Sequence, residues 1–320
     1  MNLNLAGAVD RLHREGVLDD RQEAFLQRVA TRRLVSVRLE IRLLLYAGVM
    51  LTVSGIGFLV KERYQDIGPV AICLGITLAT ALCFVYVFLK SPCFSRGETP
   101  SPTLAFDYVL LLGVLLLGAD LGYVESQFAV LGPSWPWHLL IVSLVSLAAA
   151  YRFDSRTVLT LALTTFAAWR GVAVSLNPDN FFRLLGQTGS IRINEILTGL
   201  LFLGGGVFSR RTQCKPHFEE VYGNIGLLLL FGGLWSGLVT ENNPVWPLLH
   251  FTAAGSVIWL ARRLRRPYYF ALGVLAAYFG FLRYLFEADL GAIGFLVMAI
   301  TSLGVILFLV RTHRSMRERP

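Results

Sequence analysis

Residues 68–89 read GPVAICLGITLATALCFVYVFL, a run without a single charge, closed by Lys90. A bilayer core about 30 Å thick is crossed by about 20 helical residues. Lipid offers backbone groups no water to bond, so a run of this kind must satisfy them internally, as a helix. Working outward, comparable runs occur at 43–60 and 104–124, then at 136–151, 158–176, 191–208, 221–239, 245–261, 268–286 and 290–310. The sequence therefore predicts an all-α, polytopic transmembrane helical bundle of about ten spans. Composition agrees. Of 320 residues, 55% are hydrophobic and 16% charged, against about 25% charged in soluble domains. That is too little charge to clothe a soluble fold, and it excludes disorder and coiled coil as well.

The net charge of +8 resembles a nucleic-acid signature until the charges are located. Lysine occurs only at Lys61, Lys90 and Lys215, and the other basic residues are arginines in short clusters between apolar runs. Cytoplasmic loops of membrane proteins carry the excess of Lys and Arg. With the N-terminus inside, 23 basic residues fall on the inner side. Only Lys61, Arg63, Arg183 and Arg192 fall outside, and Arg170 and Arg283 lie within spans. The bias predicts cytoplasmic N- and C-termini and orientation of the bundle, with no nucleic-acid partner. It divides the chain into a cytoplasmic helix-hairpin head (1–38), a transmembrane domain (39–310) and a basic cytoplasmic tail (311–320). No apolar run of signal-peptide length precedes Leu43, so no secretory signal is expected.

In the head, Leu5, Ala8, Val9 and Leu12 recur at helix spacing. Gly16 suits a C-terminal stop. Asp19 precedes Gln22 by three, the spacing of a capping box that starts a second helix, with Ala24, Phe25, Val29 and Ala30 on its apolar face. About 40 residues cannot bury enough surface to be stable alone. The head must rest on the inner loops, a protein partner or anionic lipid. The pattern Leu12-x-x-Glu15-Gly16-Val17-Leu18, then Gln22-x-Ala24, then a basic stretch, runs into Leu44-Leu45-Tyr46-Ala47-Gly48-x-x-Leu51-x-x-x-Gly55. This resembles the bacterial "predicted membrane protein" families of unknown function, with a short cytoplasmic helix hairpin followed by about ten spans. The resemblance implies a bacterial inner (plasma) membrane location and supplies no catalytic residues.

Ionisable residues within spans are costly and therefore informative. Asp107 near the inner end of its span suits an interfacial ion pair. At about 1.5 Å per residue, Asp120, Arg170 and Arg283 lie about 24, 18 and 22 Å above the inner starts of their spans. Glu195 lies about 6 Å below the outer start of its own. The candidate substrate-binding residues are these four plus His138 and His250, all in the outer half. Two readings stand. In one, acid–arginine pairs including Asp120 lock the bundle. In the other, the groups line a polar cavity open to the outside. Gly118 and Gly122 have the spacing of a close helix contact. Gly204-Gly205-Gly206 reads as helix packing, and Asp154 with Arg156 as a solvated ion pair. Trp135, Trp137 and Trp246 are expected at the outer interface, Tyr151, Tyr222 and Tyr268 at the inner one.

Cys73, Cys83, Cys93 and Cys214 form no disulfide framework, and CxxC and His-rich metal spacings do not occur. No metal, cofactor or catalytic residue is expected, so a membrane-embedded enzyme is the weakest reading. Leu112-Gly113-Val114-Leu115 recurs as Leu272-Gly273-Val274-Leu275, with Tyr108 matching Tyr268 at the same offset. This hints at a parallel internal repeat of the kind transporters carry. The best functional expectation is a transporter or permease-like protein with a polar outer-half cavity for a small solute or lipid headgroup. Its alternative is a non-transporting scaffold or sensor that docks a protein partner through the head. Membrane lipids are partners in either case.

Overall fold

The computed structural model describes residues 38–99, 101–176, 186–288 and 291–318, together with His13, Asp19 and Gln22. Most of the expected head hairpin thus lies outside the described residues. Its second helix start is visible: Gln22 is helical, and the Asp19 N–H donates to Gln22 Oε1 at 3.1 Å. That is the back-bonding half of a capping box, in which the side chain of the third residue serves the cap's own amide.

Among the described residues the structure is all helical, with no strand. The helices are α1 (Arg38–Ile67), α2 (Pro69–Lys90), α3 (Leu104–Phe128), α4 (Trp137–Phe153), α5 (Arg156–Leu176), α6 (Gly186–Arg211), α7 (Glu219–Thr240), α8 (Val245–Arg263), α9 (Pro267–Glu287) and α10 (Gly291–Glu318). Each contains one expected apolar run. Eight are long and apolar enough to cross a membrane, as a polytopic helical bundle requires. Of the other two, α1 is apolar only over Leu43–Phe58. Helix α8 is diluted by Pro247, His250 and Thr252, and its histidine is buried against its neighbours. Helix α6 starts at Gly186, ahead of its expected apolar run. The polar segment Gly186-Gln187-Thr188-Gly189-Ser190 looks like a loop by hydropathy, yet it is helical.

The chain divides into two compact units, Met1–Arg63 and Tyr64–Pro320. In the first, α1 leaves Leu43, Leu44, Met50, Leu51 and Phe58 exposed, as a lipid-facing helix does. In the second, α2 to α9 pack as successive antiparallel hairpins, α2 with α3, α4 with α5, α6 with α7 and α8 with α9, and α10 packs on α9. One core gathers Phe106, Leu110, Val114, Phe153, Leu159 and Phe218. A second gathers Leu227, Phe231, Leu234, Ala254 and Ala276. Helix α10 is apolar and exposed nearly all round, tied to α9 by the Tyr278 hydroxyl, 2.7 Å from Ser302 and 3.0 Å from Thr301.

The tightest seam is α6–α7. A Cβ on Gly199 would stand 2.7 Å from the Gly226 carbonyl and the Leu230 amide, and one on Gly233 would stand 2.9 Å from the Arg192 carbonyl. Without a driving force from water, spans associate through such backbone-to-backbone packing. Gly205 and Gly206 seat the Tyr222 side chain, as the packing reading of that triplet requires. The Gly118–Gly122 expectation is corrected: Gly118 meets Val142 at ordinary distance and Gly122 faces open space. Gly113 and Gly273, in the recurring tetrapeptide, both face the preceding helix: a Cβ on them would stand 3.0 Å from Cys83 and 2.9 Å from Ile258. Tyr108 is buried where its counterpart Tyr268 is exposed.

Candidate functional site

The alternation of hairpins brings α3, α5, α7 and α9 to one end by their N-termini. At the other end lie the C-terminal halves of α3, α5 and α9, where the sequence places its candidate residues. Asp120 is buried on α3 and faces α2, where Thr77 Oγ1 donates to Oδ2 at 2.7 Å and the Cys73 thiol lies 3.7 Å from Oδ1. No ion pair joins it to an arginine among the described residues, which corrects the pairing expectation. The reason is azimuthal. The face of α3 that carries Asp120 turns toward the hydroxyl-bearing stripe of its own hairpin partner, away from α5 and α9. Arg283 pairs one turn along its own helix with Glu287.

Glu195 and Arg170 are half-buried and have no hydrogen bond or ion pair among the described residues. The Phe166–Phe202 ring contact at 5.9 Å sets the register of α5 against α6. Arg170 is therefore level with Thr198, and Glu195 lies about 4.5 Å further along. The Glu195 carboxylate passes beside Gly232 of α7, 4.0 Å from where a Cβ would stand. Because α6 begins at Gly186, Glu195 is about 14 Å from the helix start, deeper than the apolar run suggests.

The same early start moves Arg192 from an expected loop into the bundle, and this is the residue that sequence reading missed. It is 2% exposed. It pairs with Glu241, donates to Thr240 Oγ1 at 2.6 Å and lies 4.7 Å from the Trp246 ring centroid. Trp246 Nε1 completes the clamp by donating to Glu241 at 2.5 Å, while its ring covers Gly237. Trp246, in the first turn of α8, is thus also a stacking partner of Arg192. Hydrogen bonds from Arg192 first, then Trp246, hold the Glu241 carboxyl below the ordinary carboxylate range. One helical turn holds Arg192 Nε and Asn194 Oδ1, both buried without a partner among the described residues. The signal available in the sequence was the polar, glycine-punctuated segment before Ile191, which hydropathy alone assigns to a loop.

The two histidines serve separate places. His138 Nε2 lies 2.9 Å from Glu125, whose oxygens also accept the Leu131 and Gly132 amides at 3.0 and 2.7 Å. This clamps the turn between α3 and α4. His250 is 1% exposed, bonds the Ala276 carbonyl at 2.9 Å and is caged by Phe231, Trp235 and Phe251. Neither joins Glu195 or Arg170.

At the opposite end the connecting segments interlock. Asp154 Oδ1 lies 2.6 Å from His217 Nε2, and Oδ2 lies 3.0 Å from Lys215 Nζ and accepts the Thr99 amide at 2.5 Å. Lys215 also donates to the Gly97 carbonyl at 3.0 Å. The expected solvated Asp154–Arg156 pair is therefore corrected: Asp154 is buried, and Arg156 reaches Glu98 (2.8 Å) and Glu220 (3.6 Å) instead. The Tyr151 and Tyr222 hydroxyls meet at 3.3 Å, Tyr222 buried and Tyr151 partly buried. Asp107 accepts from Ser101 at 2.5 Å.

Residues 10–159 match the family model described as "Predicted membrane protein (DUF2157)". The match supports a membrane protein family of unknown function, in agreement with the resemblance read from the first sixty residues. It takes in Asp120, His138 and Asp154, while Arg170, Arg192, Glu195, Lys215, His250 and Arg283 lie beyond it. No curated protein and no solved structure matches the chain.

Proposed function

We propose that this multi-pass membrane protein is permease-like and takes a small polar solute or lipid headgroup in the outer half of its bundle, with Glu195 and Arg170 as the contacting groups. The observation that carries this reading is Glu195 itself. It is a half-buried carboxylate in the first half of a span, beside a glycine, with no partner among the described residues. The other charged candidates Asp120 and Arg283, and Arg192 on the same helix, all have partners. An ionisable group inside a membrane is expensive and by default functional. A water-filled site that a charged or hydrogen-bonding solute enters supplies what the protein does not. The charge bias supports cytoplasmic termini, and the family resemblance supports a bacterial inner membrane.

The test is water access. Glu195→Cys, in a background without the four native cysteines, should react with a membrane-impermeant methanethiosulfonate cation added outside intact cells. Leu200→Cys on the lipid-facing side of α6 should not. Equal inertness at both positions would remove the cavity.

A second reading, a scaffold that docks a partner through its head, is favoured by the Asp19–Gln22 cap, which starts a helix where a docking element is needed. Deleting residues 1–36 should then leave an inserted, folded membrane domain. Loss of insertion would make the head part of the fold and not an appended module.

A further inference from the structure

A cleft of about 260 Å³ opens between the N-terminal ends of α7 and α9, lined by Glu220, Asn224, Arg266, Pro267, Tyr268 and Tyr269. We propose that it is a binding site for the phosphoethanolamine headgroup of a phospholipid. The reading is independent of the outer-half site, which lies at the other end of the bundle.

The charges in the cleft are laid out for a zwitterion. On one side, Arg266 precedes the first turn of α9, which has Pro267 at its start and no side-chain cap. The first backbone amides of a helix lack internal partners and carry the positive end of its dipole, which favours phosphate. On the other side, Glu220 sits between two guanidinium groups, 3.6 Å from Arg266 and 3.6 Å from Arg156. Both separations exceed hydrogen-bond reach, so the carboxylate keeps lone pairs for a third donor. A primary ammonium has three N–H groups to fill them. Tyr268 offers an aromatic face for the same charge, while Arg266 already lies over the Tyr269 ring at 5.9 Å; such contacts hold alkylammonium ligands elsewhere. The Asn224 amide lines the cleft without a partner among the described residues. Arg266 also donates to Glu219 at 3.2 Å, so a ligand that brings phosphate to Arg266 and ammonium to Glu220 opens only the looser Glu220 contact and strengthens both halves of it. A purely anionic headgroup leaves Glu220 facing a like charge.

Position favours a lipid source over a soluble one. The cleft sits where the apolar stretches of α7 and α9 begin, level with exposed Tyr268 and with Trp259, over which Arg263 lies at 5.5 Å. Aromatic and basic side chains of this kind mark headgroup depth. Pockets for drug-sized ligands run about 300–1,000 Å³, so this volume suits a headgroup fragment.

The experiment is native mass spectrometry of the full-length, delipidated protein with phosphatidylethanolamine, phosphatidylglycerol, phosphatidylcholine or O-phosphoethanolamine added at equal concentration. Phosphatidylethanolamine should bind at least tenfold more tightly than the other two lipids. Glu220→Gln should erase that preference, and Arg266→Gln should weaken phosphatidylethanolamine about tenfold. Asn224→Leu, which breaks no ion pair, should also weaken it, so that a folding defect in the Arg266 variant does not decide the matter. Equal binding of phosphatidylglycerol, or unchanged binding in the Glu220 and Asn224 variants, overturns the proposal. Displacement of the lipid by O-phosphoethanolamine at equal concentration assigns the site to the free phosphomonoester and overturns the lipid source.

Discussion

The Lys215 ammonium lies 3.0 Å from the Asp154 carboxylate, and both residues hold left-handed backbone, at φ 53° and 59°. Lysine is rarely placed this way, and here its side chain is 1% exposed. Asp154 ends α4 as its C-terminal cap, and Lys215 precedes the short turn before α7, so the pair joins two hairpins. With the Thr99 and Gly97 contacts it also anchors the segment between α2 and α3.

Breaking one partner of a buried pair leaves an uncompensated charge and costs about 3–5 kcal/mol, whereas replacing both can be nearly neutral. Asp154→Asn and Lys215→Met should each lower the melting temperature in detergent sharply, and the double variant should regain a large part of the loss. A double variant less stable than either single one would show that the pair's geometry, and not its neutrality, holds the hairpins.

The Arg192–Glu241 clamp should appear as an acid limb in stability. Glu241 has a depressed folded pKa, caused by the Arg192 hydrogen bond and then by Trp246. Its contribution is complete above the ordinary value of 4.5 and is lost as pH falls through the lower folded value. Melting followed from neutral pH downward should show this loss in the wild type, and Glu241→Gln should flatten it. An unchanged acid limb in the variant would assign it to other carboxylates.

The α6–α7 seam tolerates no side chain where the backbones meet. Gly199→Ala or Gly226→Ala should destabilise by about 1–3 kcal/mol, the usual cost of overpacking. Gly204→Ala and Gly122→Ala, which face open space, should be close to neutral. Thermal unfolding of the four variants in one detergent makes the comparison.

The orientation expected from the arginine bias is tested by single cysteines in a cysteine-free background. Ser126 and Asn242, exposed at one end of the bundle, should label from outside with an impermeant thiol reagent, and Gln213 and Ser315 should not. Labelling of Ser315 in intact cells would overturn the ends-inside arrangement.

Much of the fold was legible because its signals are local. The apolar run around residues 68–89 and its counterparts report helix existence, since a membrane core demands length and lack of charge wherever a helix crosses it. The alternation of basic loops anticipated which connections share an end, and the contacts of Thr99, Asp154, Lys215 and Arg266 bring those connections together. The Asp19–Gln22 spacing likewise announced its own hydrogen bond, which spans only three residues.

Partner choice was a different matter, and the tertiary structure alone decided it. Asp120 was expected to meet arginine because both lie at similar depth, but depth says nothing about azimuth. The rotation of α3 against α2 gives it Thr77. Arg192 was assigned to a loop because hydropathy cannot tell a polar helical extension from a turn, and only the packed α6–α7 seam carries it inward to Glu241. Asp154 was paired with its neighbour Arg156, but left-handed backbone at Asp154 and Lys215 directs each to the other across the chain. Length, apolarity and charge asymmetry are properties of the sequence one segment at a time, whereas who meets whom depends on how helices turn about their axes when their glycines and side chains close-pack.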